Sequence, residues 1–291
     1  MSDPVALRSR AEALAAPLPP LLAGARHLAA SVILGAHGRR RAGQGDEFWQ
    51  YRPLVAGDES RAIDWRRSGR SDAHFVRQKE WQAAQSVSLW VDASASMGFS
   101  SDARLPPKRD RAVELALAIA ILLVRAGERV GLSGRALPPR GGEVQLLRLA
   151  QALETARDRG EYGAPEARAM PSRSRAVFLS DFLGDIGPAR DALTSAADRG
   201  VSGVLIQVLD PQEEAFPFDG RTIFESMGGG IRHETLKARD LRGRYLDRLA
   251  ARKAELADLA RATGWQYSTH HTDQPASTAL LWAHAALERV V

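Results

Sequence analysis

The chain has 291 residues, of which 44% are hydrophobic and 26% charged, and it contains no cysteine. That length allows one large α/β domain with an arm, or two smaller domains. The lack of cysteine excludes disulfides, thiolate zinc sites and cysteine nucleophiles. The formal net charge is +5, and a basic chain can meet nucleic acid, an anionic membrane or an acidic partner, but arginine spread along the chain favours an ordinary solvated surface.

No stretch of the sequence is apolar for the ~20 residues that a membrane span needs. The longest apolar run, 115–124, lies between Glu114 and Arg125 and predicts a buried helix. The N-terminal region, with Asp3 and Pro4, does not have the pattern of a secretory signal. We therefore expect a soluble, cytoplasmic protein.

The first part of the chain predicts an arm without a long helical period. Residues up to about Gly35 indicate two short helices broken by prolines, and 47–83 is rich in turn residues, charge and tryptophan. We expect residues 1–83 to form this N-terminal helical and turn-rich arm, followed by a separate domain over 84–291.

From Ser86 onward, short apolar runs alternate with helical segments that end near glycine. This alternation predicts an α/β fold of the Rossmann type, a mostly parallel sheet with helices on both faces. The predicted strands are 86–91, 129–133, 176–180, 204–209 and 265–269, and the predicted helices are 108–126, 144–159, 188–199, 240–264 and 278–287.

One stretch interrupts the alternation. The runs 221–226 and 231–235 flank Gly228, Gly229 and Gly230, which predicts a β-hairpin inserted around 216–236. The long helix that follows is expected to have Asp240 as its cap.

Two acidic residues directly follow predicted strands. The sequence Asp-Ala-Ser-Ala-Ser begins at Asp92, and Asp181 follows a later strand. Ligands of parallel sheets bind beyond the carboxyl ends of the strands, and carboxylate and hydroxyl oxygens suit Mg²⁺ that keeps waters or takes a partner's carboxylate. We expect a metal site formed by Asp92, Ser94, Ser96 and Asp181. In the alternative, Ser94 and Ser96 only cap the next segment and Asp181 starts a turn.

The pattern Asp-x-Ser-x-Ser after a buried strand, with Ser-Asp after a later one, resembles the metal-ion-dependent adhesion site of von Willebrand factor A domains. Upstream, Tyr-Arg-Pro-Leu-Val-Ala-Gly-Asp-Glu-Ser-Arg-Ala-Ile-Asp-Trp over 51–65 resembles the signature of a bacterial family known only as domain of unknown function number fifty-eight. The resemblance covers 38–208 well. It implies a von Willebrand factor A-like fold and frequent genomic company with MoxR-type AAA+ ATPases, which are thought to act as chaperones or in metal insertion.

The signature also contains charged and aromatic residues that we expect to bind a partner or to brace the arm. They are Arg52, Asp58, Arg61, Asp64 and Trp65. For any one of them, local salt bridges and turn bonds are the simpler interpretation.

The sequence departs from the adhesion-site pattern at one position. Such sites usually take a threonine from the loop between the second strand and the next helix, and 138–143 contains none. Glu143 or a water molecule could take its place.

These patterns predict a metal-dependent protein-interaction module that is not an enzyme, an accessory partner of a MoxR-type AAA+ ATPase in chaperone-like or assembly work. Mg²⁺ or another divalent cation is the expected cofactor. A phosphatase-like hydrolase with Asp92 as nucleophile is an alternative, although it would need a second acid where Ser94 stands and a lysine that the sequence does not place. The sequence has neither a Gly-x-x-x-x-Gly-Lys phosphate loop nor a Gly-x-Ser-x-Gly elbow.

The sequence also allows two other interpretations. A basic nucleic-acid-binding protein would use arginines such as Arg39, Arg40 and Arg41, for which a solvated loop is the simpler reading. A zinc site at His270, His271 and Asp273 would need further ligands that the sequence does not place.

Overall fold

The structure is a computed structural model that describes residues 42–55, 63–69, 74–80, 84–158, 160–166, 170–230 and 232–289. These residues fall into two compact units, one ending at Ala84 and the other beginning at Gln85. The short helices expected before Gly35, and the arginines at 39–41, lie outside the described residues.

The first unit is built on a two-stranded antiparallel ribbon, β1 (Ala42–Pro53) with β2 (Phe75–Glu80). The described residues between these strands include a short helix, α1 (Trp65–Ser68). It begins after Asp64, whose carboxylate accepts a hydrogen bond from the Arg67 N–H at 3.0 Å. The sequence Arg-Gln-Lys-Glu that ends β2 has no apolar alternation, and the ribbon was therefore not predicted.

The second unit contains a large sheet and a separate hairpin. Its strands in chain order are β3 (Ser86–Val91), β4 (Arg129–Leu132), β5 (Leu137–Arg140), β6 (Arg175–Ser180), β7 (Ser202–Leu209), β8 (Thr222–Glu225), β9 (Arg232–Thr235) and β10 (Gln266–His271). Its helices are α2 (Lys108–Arg125), α3 (Glu143–Thr155), α4 (Gly187–Asp198), α5 (Pro211–Ala215), α6 (Arg242–Ala262) and α7 (Ala276–Arg289).

The large sheet has the strand order β5-β4-β3-β6-β7-β10, and all neighbouring strands are parallel except β4 and β5. Counted along the chain, this is the order 3-2-1-4-5-6 of doubly wound α/β sheets. The direction in which strands are added reverses between β3 and β6. The mostly parallel sheet predicted from the sequence is confirmed.

Helices cover both faces of this sheet, as predicted. Helices α2, α3 and α7 contribute to one apolar core with strand residues such as Leu89, and α4 and α6 contribute to another with Trp90 and Phe178. Successive residues of a strand point to opposite faces, which is why Leu89 and its neighbour Trp90 enter different cores. Both cores contain strand side chains that are almost completely buried.

The strand β5 was not predicted. Its residues Pro138 and Pro139 argue against a strand, but an edge strand tolerates proline because an N–H on its open side has no partner in the sheet. The neighbouring strand comes very close at Gly131, where a β-carbon would stand 2.6 Å from Pro139 N. The stretch 138–143, which contains no threonine, is thus partly an edge strand.

The helix α3 ends at Thr155 and not at residue 159 as predicted. The guanidinium of Arg109, on α2, donates hydrogen bonds to the carbonyl groups of Leu153 and Glu154 at 2.8 and 2.9 Å. It thereby satisfies carbonyl groups that would otherwise accept from a further helical turn. The chain after Thr155 is free to take an extended path toward the end of β3.

The start of α6 also differs from the prediction. Residues Ala238–Leu241 form a 3-10 turn, and the α-helix begins only at Arg242, without a side-chain cap. Asp240 lies within this turn and does not cap the helix. The other predicted helices and strands of the second unit lie close to their predicted positions, whereas the short helix α5 was not predicted.

Candidate functional site

The residues predicted to form a metal site lie at the carboxyl ends of β3 and β6, where the strand order reverses. The backbone N–H of Asp92 donates to the Leu179 carbonyl at 2.9 Å, which continues the pairing of the two strands. Crevices at such a reversal are the usual ligand sites of doubly wound sheets. Four side chains at this edge are at most 6% exposed: Asp92, Ser94, Ser96 and Asp181. We refer to these four residues as the strand-end cluster.

Both carboxylate oxygens of Asp92 accept hydrogen bonds within the chain. Oδ1 accepts from the Ser94 N–H at 2.8 Å, and Oδ2 accepts from the Ser180 hydroxyl at 2.7 Å. Burial raises the pKa of Asp92 above its usual value; the bonds from Ser94 and Ser180 lower it, and the charge of Asp181 raises it. Asp92 and Asp181 are therefore close enough to influence each other electrostatically.

The two serines of the cluster lie side by side, with their hydroxyl oxygens 3.4 Å apart. Ser94 precedes a 3-10 turn over Ala95–Gly98 and makes no side-chain hydrogen bond to the backbone of that turn. The simple capping role that the sequence left open for Ser94 is absent from this structure.

A lysine that was not predicted completes the site. Lys108, the first residue of α2, is 1% exposed, and its ammonium donates to Asp181 Oδ2 at 2.8 Å and to Glu213 Oε1 at 2.6 Å. Burial alone would lower the pKa of Lys108, but the two carboxylates outweigh it and hold the pKa above its usual value. Lys108 is one of four consecutive charged residues, Lys-Arg-Asp-Arg, at the start of this largely apolar helix, and no local signal singles it out.

Glu213 is the other residue that sequence reasoning missed. It lies in the short helix α5, and its second oxygen, Oε2, accepts from the Asp210 N–H at 2.8 Å. Asp210 is fully buried; it caps α5 and accepts from the Ser101 N–H at 2.9 Å. These bonds fix Glu213 in position beside Lys108.

The segment that precedes β6 covers the strand-end cluster. Gly163 lies against Asp92, and a β-carbon on residue 163 would stand 2.3 Å from Asp92 Oδ1. Tyr162 packs on Gly184, where a β-carbon would stand 2.5 Å from Tyr162 Cβ. The carbonyl of Glu161 accepts a hydrogen bond from the Ser96 N–H at 2.9 Å.

The antiparallel hairpin of β8 and β9 adds a second cover. The Gly228 N–H donates to Glu161 Oε2 at 2.7 Å. Beside it, Met227 Cε would lie 3.6 Å from a β-carbon on Gly98, at the end of the turn that contains Ser96. The segment 160–163 and the hairpin tip 227–228 therefore meet over the loop that carries the serines. We call these two segments the roof.

A cavity of about 360 Å³ opens beside the roof, at the ends of β3 and β4. Its lining combines aromatic, basic and acidic side chains, including Trp90, Arg135, Asp158, Tyr162 and Glu166. Arg135 and Asp158 form an ion pair across 3.1 Å. The cavity is thus mixed in polarity and adjoins Asp92 through Gly163.

The strand-end cluster, as its side chains lie, does not fit a divalent cation. Asp92 gives both oxygens to donors of the chain, and Asp181 gives one to the Leu183 N–H at 3.1 Å and the other to the ammonium of Lys108. A cation that bound Asp181 would stand next to a fixed positive charge. Among the described residues, no group of three or more His, Cys, Asp or Glu side chains is placed to hold one metal ion.

The signature residues of the first unit are described only in part. Asp58 and Arg61 lie outside the described residues, and of Arg52 only the backbone is described, opposite Val76 in the ribbon. The carboxylate of Asp64 caps α1 and accepts from the Tyr51 hydroxyl at 3.1 Å, and the Trp65 ring is 62% exposed. The geometry thus gives Asp64 a local structural role and leaves Trp65 accessible.

The two histidines near the end of β10 have different surroundings. His270 is 2% exposed and its Nε2 has no hydrogen-bond partner. Burial lowers the pKa of His270 to about 4. The Nε2 of His271 instead forms a hydrogen bond with the carboxylate of Glu214. Within the part of the chain that the structure describes, neither histidine belongs to a group of three or more His, Cys, Asp or Glu side chains placed to hold a metal ion.

The fold and the site together define a doubly wound α/β protein with a buried, polar, charge-paired cluster at its topological switch point. The sequence signature described as "Protein of unknown function DUF58" matches residues 50–255, and the chain belongs to this family. No helix within the described part of the chain is both long enough and apolar enough to cross a membrane.

The sequence is similar to mycobacterial proteins that are described as uncharacterized. The chain is 31% identical over 257 residues to uncharacterized proteins of Mycobacterium bovis and Mycobacterium tuberculosis, and the match covers 84% of this chain and 80% of each relative. Among solved structures, it is similar to an aerotolerance-related membrane protein from Bacteroides fragilis, with a TM-score of 0.43, 15% identity, and 72% of this chain and 100% of the other covered. A conserved hypothetical protein BatB from Bacteroides thetaiotaomicron gives a TM-score of 0.40 and 13% identity, with 70% and 98% covered.

Proposed function

We propose that this chain is an accessory protein-binding module without catalytic activity, and that its partner docks on the roof over the strand-end cluster. The observation that carries the proposal is the exposure of the roof itself: Tyr162 is 44% exposed and Met227 is 49% exposed, while the cluster beneath them is buried. Tyrosine and methionine are enriched at protein interfaces. The buried cluster then serves to hold the roof in place.

We also infer that the second unit is a von Willebrand factor A-like domain. The loop beginning at Asp92 supports this inference, because the Asp-x-Ser-x-Ser pattern follows a central strand and meets Asp181 at the neighbouring strand end. The partner suggested by the resemblance is a MoxR-type AAA+ ATPase. Divalent-cation dependence of the contact stays a prediction from the sequence, and it would require the cation to displace Lys108 from Asp181.

The test is a direct binding measurement between the full chain and a purified MoxR-type AAA+ ATPase from the same genome, in the presence and absence of chelator. Tyr162→Ala and Met227→Ala are each expected to weaken binding about tenfold, as the loss of an interface hot spot does. Leu281→Ala is the matched control, because Leu281 is similarly exposed, at 45%, on α7. Binding that is absent, or that all three variants retain, would overturn the proposal.

A phosphatase-like hydrolase that uses Asp92 is the second candidate, and one observation favours it. The ammonium of Lys108 lies in the same site as Asp92, where a phosphate-transfer enzyme would need a positive charge. Against it, Asp92 is 1% exposed and both of its oxygens are hydrogen-bonded. Turnover of a generic phosphoester by the wild type that is lost in Asp92→Asn would establish this function in place of the first.

A further inference from the structure

The inference concerns the charge balance at the site on which the proposed function rests. Lys108 has one of the largest fully buried side chains among the described residues. Lysine is almost never fully buried unless it is paired, because an uncompensated charge in a protein interior is costly. The buried ammonium of Lys108 therefore requires partners of opposite charge.

The ammonium joins three separate elements at the carboxyl edge of the sheet. Lys108 is the first residue of α2. Its ammonium contacts Asp181, after β6, at 2.8 Å and Glu213, in α5, at 2.6 Å. The ring of Phe99 lies on another side, with its centroid 5.8 Å from Nζ. One positive charge thus stands between two carboxylates, as a bound cation would.

The geometry points to Lys108 as the resident cation of the strand-end cluster. Its ammonium supplies the positive charge that a divalent ion would otherwise supply to Asp181, and the site is complete without a metal. A divalent ion in contact with Asp181 would share that carboxylate with a fixed ammonium and would be repelled by it. The wild-type site therefore rejects divalent cations because of Lys108, although it has the carboxylates to bind one.

This role differs from that of an ordinary buried salt bridge. If Lys108 only held three elements together, its replacement by a neutral side chain would leave Asp181 and Glu213 without their cation. The only effect would then be a less stable fold. If it occupies a cation's place, the same replacement uncovers a pair of carboxylates that a divalent ion can bridge. Gain of metal binding is the readout that separates the two roles.

The experiment titrates the full-length protein with Mn²⁺ and follows the free ion by electron paramagnetic resonance. We expect no stoichiometric binding by the wild type. Lys108→Met is expected to bind one Mn²⁺ per chain at least about tenfold more tightly than the wild type, and addition of Asp181→Asn to that variant is expected to abolish the gain. The melting temperature of Lys108→Met should rise with Mn²⁺, while that of the wild type should be the same with Mn²⁺ and with chelator.

Lys253→Met is the matched control. Lys253 forms an ion pair with Glu214, the residue next to Glu213, outside the strand-end cluster. Its replacement removes a lysine–glutamate pair of the same kind and should not create a metal site. Equal gains in the two variants would overturn the inference.

Asp181-dependent binding of one Mn²⁺ by the wild type would also overturn it, and this measurement does not depend on the folding of any Lys108 variant. The outcome is separate from that of the proposed function. Partner binding that is lost with chelator would refute the proposal that Lys108 is the resident cation, but it would support the docking proposal. Absence of partner binding would refute the docking proposal and leave the Mn²⁺ results unaffected.

Discussion

Gly163 lies so close to the carboxylate of Asp92 that a β-carbon does not fit there: one on residue 163 would stand 2.3 Å from Asp92 Oδ1. The segment 160–163 of the roof is thus tightly packed against the carboxylate of Asp92. The position of the exposed roof therefore depends on the strand-end cluster beneath it.

The substitution Gly163→Ala is expected to lower the free energy of unfolding by about 1–3 kcal/mol, the usual cost of overpacking a closely packed position. Urea denaturation monitored by tryptophan fluorescence measures this loss. Gly230→Ala is the control, because a β-carbon at Gly230 meets no atom within 4 Å. Similar losses in both variants would contradict the close contact with Asp92.

The hydroxyl of Ser180 stabilises a buried carboxylate. Ser180→Ala removes the donor to Asp92 Oδ2 and is expected to cost about 1–3 kcal/mol, because a buried acceptor is left without its partner. The pKa of Asp92 should rise further, since the bond from Ser180 lowers it. Ser174→Ala, in which the lost bond is to the Pro171 carbonyl and not to a carboxylate, should cost less in the same urea titration. A loss of unfolding free energy in Ser174→Ala as large as that in Ser180→Ala would contradict the prediction.

Glu128 predicts a loss of stability as the pH rises. Burial raises the pKa of Glu128 to about 7 from 4.5, although a hydrogen bond from the Gln85 N–H and the charge of Arg175 oppose the rise. Between these two pKa values the folded chain holds a proton that the unfolded chain has released. The contribution of this residue is therefore fully present below pH 4.5 and is lost by about pH 7, with a total of up to about 3 kcal/mol.

The measurement is the free energy of unfolding as a function of pH, for the wild type and for Glu128→Gln. The variant should lack the decline that the wild type shows across this window. An identical pH profile for the two proteins would show that the carboxyl group of Glu128 titrates normally.

The lowered pKa of His270 predicts the opposite dependence of stability on pH. Burial holds the pKa of His270 at about 4, below its ordinary 6.5, so that the unfolded chain takes up a proton first as the pH falls. The contribution of the neutral, buried imidazole is present above pH 6.5 and is lost as the pH falls toward 4, by up to about 3 kcal/mol. Replacement by Gln should remove this dependence, and NMR of the native imidazole should show no protonation near pH 6. Protonation of native His270 with an ordinary midpoint would refute the prediction.

Much of the large sheet could be predicted because buried strands have a recognisable sequence pattern. Parallel strands covered on both faces are continuous apolar runs, and the runs that precede Asp92 and Asp181 are of this kind. The carboxyl ends of such strands lie at one edge, so the meeting of these two acids also follows from the sequence. The mostly parallel sheet with helices on both faces required only the alternation of strands with helices.

The parts that were missed depend on contacts between distant segments. Lys108 lies 73 residues from Asp181 and 105 residues from Glu213 in the sequence, and no local pattern connects them. The end of α3 was misplaced for the same reason, because Arg109 of another helix satisfies its last carbonyl groups. Local patterns place an element, but its limits and its charge partners are set by the packed structure.

The two prolines of β5 also affect how the protein meets copies of itself. An outermost strand presents a row of backbone groups to which another extended chain can attach, the first step of aggregation through sheets. Half of the four residues in β5, Pro138 and Pro139, have no N–H to offer such a chain. This side of the sheet is therefore protected against growth by strand addition during folding, when partly ordered molecules collide.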